Sequence, residues 1–464
     1  MSKTVRRLVR DMRSRERAAR IDSSALHGAD PQSMRQFNRL LVLNCIRQHG
    51  PLARVAVADR TGLSRTTVSS IVDALLDEGL VREGDTLHAA RAGGRRATLV
   101  HFQADAGYIL GIDIGRTHLT ILATDLAAEA LVRCSGPFEA ALGPEICLPQ
   151  IVERIHSFVA EHAIPWDRIV GIGIGIPGPL DTERQALISP PRMPGWDGVE
   201  IGQFLRRELD VAQIYIENDA NLGALGECRF GAGRGVSDLA YIKLGTGIGG
   251  GLVMNGAIYR GSFGSAGELG HVTIDENGPL CDCGSRGCLE TLAGAAAIVA
   301  DARAARPLVL AGDREDHGQH AESGDAIRDI SDVIHAAQEG DVACRAAIER
   351  AGEHIGAAIA SLINLVNPSL ILFDGGVTRA GELLLEPLRR TVGARSLQMA
   401  WARTSISTGE LGNNAIALGA VSMVIDAAFG IQGSIVRPLH VRATLKTIEA
   451  SPPPRAATRR GAGQ

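Results

Sequence analysis

The stretch Tyr108-Ile-Leu-Gly111-Ile-Asp113-Ile-Gly115-Arg116-Thr117-His118-Leu-Thr-Ile-Leu-Ala-Thr-Asp125 reads as two apolar strands around a polar, glycine-bearing tip. The pattern returns at Leu239-Ala-Tyr-Ile-Lys-Leu244-Gly245-Thr246-Gly247-Ile-Gly249-Gly250-Gly251-Leu-Val. Two such strand–turn–strand units in one chain predict a duplicated α/β fold with a cleft between its halves. The tips carry chemistry as well as shape. Glycines let backbone N–H groups approach phosphate oxygens, a threonine hydroxyl donates to one, and Asp113 suits holding Mg2+ through water. Asp113, Gly115 and Thr117 on the first tip and Gly245, Thr246 and Gly247 on the second are therefore candidate nucleotide-binding residues.

Between the hairpins, Ile214-Tyr-Ile-Glu217-Asn218-Asp219-Ala-Asn221 is a strand running straight into an acidic tip. In open α/β sheets ligands bind at the carboxyl ends of strands. Asp219 suits a general base for a substrate hydroxyl, with Asn218 bonding a neighbouring one. An Asx turn capping the next helix is the structural alternative for the same residues. Gly171-Ile-Gly173-Ile-Gly175-Ile-Pro177-Gly178-Pro179 precedes it as a strand ending in a rigid loop, fit to line the same pocket.

Further on come Ala266-Gly267-Glu268-Leu-Gly270-His271 and Cys281-Asp-Cys283-Gly-Ser-Arg-Gly-Cys288-Leu-Glu290. One imidazole and three thiolates, His271, Cys281, Cys283 and Cys288, are the donor set of a closed, structural zinc site. Free thiols beside an unrelated histidine are the other reading. A clamp there would hold Glu268 and Glu290 near the pocket, where carboxylates accept hydrogen bonds from sugar hydroxyls. Asp374-Gly375-Gly376 ends a later strand, either facing an adenine or turning strand into helix.

The near-neutral charge of −4 over 464 residues hides an asymmetry. Residues 1–100 hold 18 Lys and Arg against 10 Asp and Glu, and the rest of the chain is acidic by 12. A basic module facing a polyanion, joined to an acidic body, is the expectation. Residues 1–33 read as a basic flexible arm. From Met34 to residue 100 the pattern is helix, short helix, the turn Thr61-Gly62-Leu63, and a third helix capped by Ser64. That is a helix-turn-helix whose last helix enters the major groove of DNA. Arg65, Thr66, Thr67, Ser69 and Ser70 are its candidate DNA-binding residues. Leu80 to Arg82 and Thr86 to Ala89, joined through Gly84-Asp85, read as a wing. Arg95 and Arg96 follow in a basic segment suited to a minor groove.

Of eight cysteines, Cys45, Cys134, Cys147, Cys228 and Cys344 are scattered and read as small buried hydrophobes. The clustered three suit metal in a reducing compartment better than a disulfide framework. The best apolar run, Ala415 to Ile425, is shorter than the ~18–20 residues a membrane span needs, and the arginine-rich N-terminus leads into no apolar segment. A cytoplasmic protein without a membrane partner is expected.

Together these residues resemble the ROK family, which joins sugar kinases and sugar-responsive repressors of the duplicated actin-like ATPase (ribonuclease H-like) fold. The resemblance spans roughly Met34 to Phe429, and its most specific piece is Glu268-x-Gly270-His271 with Cys281-x-Cys283-Gly-x-x-Gly287-Cys288-x-Glu290. It implies structural zinc on His271 and the three cysteines. It also implies a sugar site of Asn218, Asp219, Glu268, His271 and Glu290, with Asp219 the catalytic base in kinases. An N-terminal winged helix is typical of the repressor branch. The chain departs from the kinases at Arg116, His118 and Asp374: they usually have glycine and lysine at the first two positions and commonly glycine at the third. Arg116 sets a bulky side chain where backbone would approach phosphate, which counts against ATP binding.

The expectation is a winged helix-turn-helix (34–100) on a two-lobed ROK body (106–430), with a partly disordered tail (431–464). The predicted function is a sugar-responsive repressor whose partners are operator DNA and a sugar or sugar phosphate, working as a homodimer or homotetramer. The alternative is a hexose kinase using Mg-ATP and carrying a DNA-binding head.

Overall fold

The computed structural model describes residues 2–19, 31–86, 97–181, 184–190, 193–211, 213–312 and 327–430. Helix α1 (Lys3–Ala19) opens the chain and is followed by α2 (Pro31–His49), strand β1 (Leu52–Ala53), α3 (Arg54–Thr61) and α4 (Arg65–Asp77). Gly62 ends α3 at φ +70°, a left-handed position that glycine takes without steric cost. Two residues on, Ser64 caps α4 by accepting the Thr67 N–H at 3.1 Å. Val68, Val72 and Leu75 form the buried stripe of α4, as their spacing predicts.

Two expectations about this region need correction. Strand β2 (Val81–Thr86) runs through Gly84-Asp85 and pairs antiparallel with β3 (Thr98–Phe102), so those two residues lie within a strand and are not the turn of the wing, while 87–89 of the expected return strand lie outside the described residues. The order is β1-β3-β2. Arg95 and Arg96 lie outside the described residues, as does 431–464. Nor is the start of the chain an unstructured arm. Val5, Leu8, Val9 and Met12 recur at helical spacing, and α1 buries all four. The arginines between them occupy the other faces, which is why their density masked the stripe.

The body shows its duplication strand for strand. The first lobe comprises β4 (Tyr108–Ile114), β5 (His118–Thr124), β6 (Ala130–Pro137), α5 (Pro144–Glu161) and β7 (Ile169–Ile176). It continues through the ribbon β8 (Leu180–Asp181) and β9 (Ala186–Leu187) to α6 (Ile201–Leu209), β10 (Ile214–Asn218) and α7 (Asp219–Phe230). Its sheet runs β10-β7-β4-β5-β6. The second lobe has β11 (Leu239–Leu244), β12 (Ile248–Met254), β13 (Ala257–Ile258), α8 (Leu289–Ala293), α9 (Ala295–Gly312), α10 (Ile330–Gln338) and α11 (Val342–Val366). It ends with β14 (Leu370–Asp374), α12 (Glu382–Arg395), α13 (Gln398–Trp401), β15 (Ser405–Thr408) and α14 (Ala415–Phe429). Its sheet runs β13-β12-β11-β14-β15. In both sheets an antiparallel hairpin precedes two parallel strands, so the two glycine tips occupy equivalent places.

Helix α14 ties these parts together. It lies on the first sheet, and a Cβ at Gly173 of β7 would meet the Ala420 carbonyl oxygen at 2.1 Å. The alternating glycines of Gly171-Ile-Gly173-Ile-Gly175 thus admit a helix backbone, while Ile172, Ile174 and Ile176 fill the core on the other face. The apolar stretch is longer than the sequence suggested: Gly412–Phe429 has the length and composition of a membrane span, yet 67% of it is buried inside the fold. Its far end joins one hydrophobic cluster holding Val5, Leu8 and Met12 of α1, Leu43, Val68 and Leu75 of the head, and Val421, Val424 and Phe429 of α14. Cys134 is exposed on β6, against expectation, while the other four scattered cysteines are buried.

Candidate functional site

The tips of both hairpins, the β10–α7 corner and the loop before α8 enclose a cavity of about 440 Å³ between the lobes. Asp113, Gly115 and Thr117 reach it from the first tip, and Gly245, Thr246 and Gly247 from the second. Asn218 and Asp219 enter at the corner, Gly375 and Gly376 after β14, and Glu268, His271 and Glu290 from the opposite wall. Every small-molecule candidate drawn from the sequence except the three cysteines therefore lines one cavity.

The corner is built by capping. Asn218 Oδ1 accepts the N–H groups of Ala220 and Asn221 at 2.9 and 3.1 Å, closing the first turn of α7. Its Nδ2 donates to the Gly178 carbonyl at 3.0 Å and so fixes the proline loop. The Asx cap and the pocket position are thus one residue doing both. Asp219 follows at the helix N-terminus, where the dipole favours a carboxylate. Its Oδ1 accepts the Ala220 N–H at 2.8 Å and its Oδ2 receives the Lys243 ammonium at 2.8 Å.

On the opposite wall, Glu290 Oε2 accepts the Ile248 N–H at 2.9 Å, locking the second hairpin to α8. Burial, with the charges of Asp219 and Glu290 beside it, raises the Glu268 carboxyl to about 7. Behind the corner, buried Glu217 takes the Arg260 Nε at 2.6 Å and the Asn221 Nδ2 at 3.0 Å, a brace absent from the sequence-derived set.

The three departures from the kinase pattern all face this cavity. His118 Nε2 is 3.0 Å from Asp113 Oδ2. Asp374 Oδ2 accepts the Tyr241 hydroxyl at 2.8 Å, which, after burial, helps push that phenol well above its usual range. Sequence reasoning missed Tyr241, Lys243 and Arg133 as lining residues. For the first two a signal existed: they fall two apart, on one face of an otherwise apolar strand.

The four proposed metal ligands meet next to His271. One ring nitrogen of His271 and the Sγ atoms of Cys281, Cys283 and Cys288 all lie within 4.8 Å of one another. Cys281 Sγ is 3.6 Å from His271 Nδ1, and Cys283 Sγ is 3.6 Å from Cys288 Sγ. Bond lengths of ~2.0–2.3 Å to a tetrahedral ion put neighbouring ligands ~3.3–3.8 Å apart, and these two pairs have that spacing. Glycine makes the loop close: Gly287 has φ +58°, and a Cβ there would lie 1.6 Å from the Asp275 carbonyl oxygen. Cys288 begins α8 and so carries Glu290 to the cavity wall.

At the head, Arg65, Thr66 and Ser70 are exposed and Thr67 and Ser69 half-buried on the first turns of α4. The Thr66 and Thr67 hydroxyls each lie 2.8 Å from Ser64 Oγ, so the cap also orders the side chains beside it.

Residues 109–427 match the ROK family, and residues 38–82 match a winged helix-turn-helix DNA-binding family. The chain is 33% identical over 392 residues to the xylose repressor of Caldicellulosiruptor bescii, covering 84% of this chain and 96% of that protein. Among solved structures it is similar to a ROK family transcriptional regulator described as a homologue of the E. coli MLC protein. That match has a TM-score of 0.72 and 27% identity, and spans 86% of this chain and 97% of the other. It is also similar to the ROK family glucokinase of Streptomyces griseus in complex with glucose and AMPPNP, with a TM-score of 0.58, 30% identity, and coverage of 68% and 99%.

Proposed function

The chain belongs to the ROK family, and on that premise we propose that it is a sugar-responsive DNA-binding transcriptional regulator, a repressor of carbohydrate-metabolism genes. One observation carries this reading. The winged helix and the body that holds the cavity share a single hydrophobic cluster through α14, so the head is built into the sensor and does not hang from a linker. We divide the chain accordingly into a DNA head (34–100) and a two-lobed sugar-binding body (106–430). Both work in the cytoplasm.

Asn218, Asp219, Glu268, His271 and Glu290 bind the sugar hydroxyls, carboxylates and amide serving as acceptors and donors at fixed positions. Arg65, Thr66, Thr67, Ser69 and Ser70 read the operator from the major groove, with Arg95 and Arg96 supplying charge beside it. His271 and the three cysteines hold a structural zinc. The donor set fits: three thiolates and one imidazole, their ligand atoms all within 4.8 Å of one another, make four donors and leave no open position for catalysis. The ion would fix the loop that carries Glu268 to Glu290. Metal analysis of the purified chain and of Cys288→Ser tests this; equal zinc in both would refute it. Paired half-sites call for a dimer or tetramer. Sugar bound between the lobes shifts the population toward one spacing of the heads.

The test is a fluorescence-anisotropy titration of DNA from the chain's own promoter region, repeated across salt and across a panel of hexoses, pentoses and their phosphates. Tight, salt-dependent binding that one panel member alters is the expected result. Arg65→Ala should weaken it by about tenfold, as loss of a base contact of ~1–3 kcal/mol requires. Unchanged affinity in Arg65→Ala would remove the recognition-helix assignment.

A second reading, an ATP-dependent hexose kinase with a DNA-binding head, is favoured by Asp219 and the intact Gly245-Thr246-Gly247 tip. Sugar phosphorylation that Asp219→Asn abolishes would establish it in place of the pure regulator.

A further inference from the structure

The residues around the two glycine tips do not fit Mg-ATP. Phosphate oxygens need the backbone of the first tip open and Asp113 available to a hydrated divalent ion. The His118 imidazole covers that backbone: a Cβ built on Gly115 would lie 2.2 Å from its ring. The same ring occupies Asp113 Oδ2. From the other side Arg116 crosses the cleft, its guanidinium 2.6 Å from the place a Cβ on Gly247 would take. Between the tips stands Lys243, whose Nζ is 2.8 Å from Asp219 Oδ2 and which is only 24% exposed in its side chain.

We propose that Lys243 is a tethered cation that does the electrostatic work of a divalent metal among Asp113, Asp219 and Asp374, so that this cavity takes its ligand without a metal ion. Those three carboxylates converge on the cavity, and all three attract the ammonium. Burial alone would lower Lys243, but the three aspartates outweigh it and leave the amine raised, hence charged. The ammonium occupies the place among the carboxylates that a second cation would need, and repels it there. Asp219 is then paired at both oxygens, to Lys243 and to the Ala220 N–H, and a carboxylate so paired is a poor base. Asp113 Oδ1 is different: it is buried and has no hydrogen-bond partner. The proposal concerns the cavity alone and does not depend on operator binding.

The test is Mn2+ binding to the full-length, zinc-loaded chain, followed by the loss of its free-ion EPR signal, with and without AMPPNP. Wild type and Lys243→Arg should show no site below about millimolar Mn2+. Lys243→Met, with the carboxylates unneutralised, should gain one site at least tenfold tighter, and Asp113→Asn on that background should lose it. Two results overturn the proposal: a wild-type site as tight as that of Lys243→Met, or no gain in a Lys243→Met protein whose circular dichroism matches wild type. Neither result bears on the anisotropy titration, so failure here and failure of the regulator reading remain separate.

Discussion

Burial sets the Glu268 carboxyl beside the charges of Asp219 and Glu290 and raises it from 4.5 to about 7. The folded chain therefore holds this proton more tightly than the unfolded chain does. Stability from the site is fully present below about pH 4.5 and is lost as pH rises through about 7. Glu268→Gln keeps the shape and stays neutral. Urea unfolding at pH 6, 7 and 8 should show wild type losing stability relative to Glu268→Gln, at up to about 1.4 kcal/mol per pH unit for one proton. Parallel pH dependences in the two proteins would show that the carboxyl is already ionised at pH 6. Glu268 was legible because its motif is local. The Lys243–Asp219 pair was not: the two residues sit on different elements, and only the packing of β11 against α7 brings them within 2.8 Å.

At the scale of elements, α1 and the wing show where sequence pattern fails. The hairpin tips and the Ser64 cap are specified by neighbours within three residues, and each forms as expected. The partner of β2 lies across a long connection, so local pattern placed the turn of the wing at Gly84-Asp85, inside the strand. Helix α1 depends on a stripe whose value appears only when a surface exists to cover it. Polar contacts then fix its position. Arg39 of α2, 9% exposed, pairs with Asp11 of α1 at 3.2 Å and with Glu78 at the end of α4, and Arg7 reaches the same Glu78 at 3.1 Å. Removing one partner of a buried network strands the others. Arg39→Ala should cost about 3–5 kcal/mol, seen as a lower urea midpoint of the full-length chain. A loss below about 1 kcal/mol would mean that water enters the network and that the apolar stripe alone holds α1.

For the whole molecule, the question is how the cavity between the lobes communicates with the head, and α14 spans that distance. Gly412, Asn413 and Ile416 line the cavity at or just before its first turn. Fifteen residues at ~1.5 Å each carry it about 22 Å to the head. There the Phe429 carbonyl accepts the Asn44 Nδ2 at 2.6 Å, and its ring packs edge-on to Phe102 at 6.0 Å and beneath Arg47 at 5.2 Å. We propose that α14, buried along its length, carries a shift at Ile416 to α2 and β3 as a rigid element. Weakening the far end should then separate the two functions. Asn44→Ala with Phe429→Leu removes contacts worth about 1–2 kcal/mol, which is comparable to an allosteric coupling of ~1–3 kcal/mol. Operator affinity without sugar should change less than about threefold. The factor by which sugar alters that affinity should fall toward one, and by reciprocity the factor by which operator alters sugar affinity should fall with it. If both factors keep their wild-type size, the signal travels by another path in the same cluster: through α1, next to which the Ser2 N–H donates to the Asp167 carbonyl at 2.9 Å, or through the short segment that joins β3 to β4, where the Leu126 N–H donates to the Ala104 carbonyl at 3.0 Å.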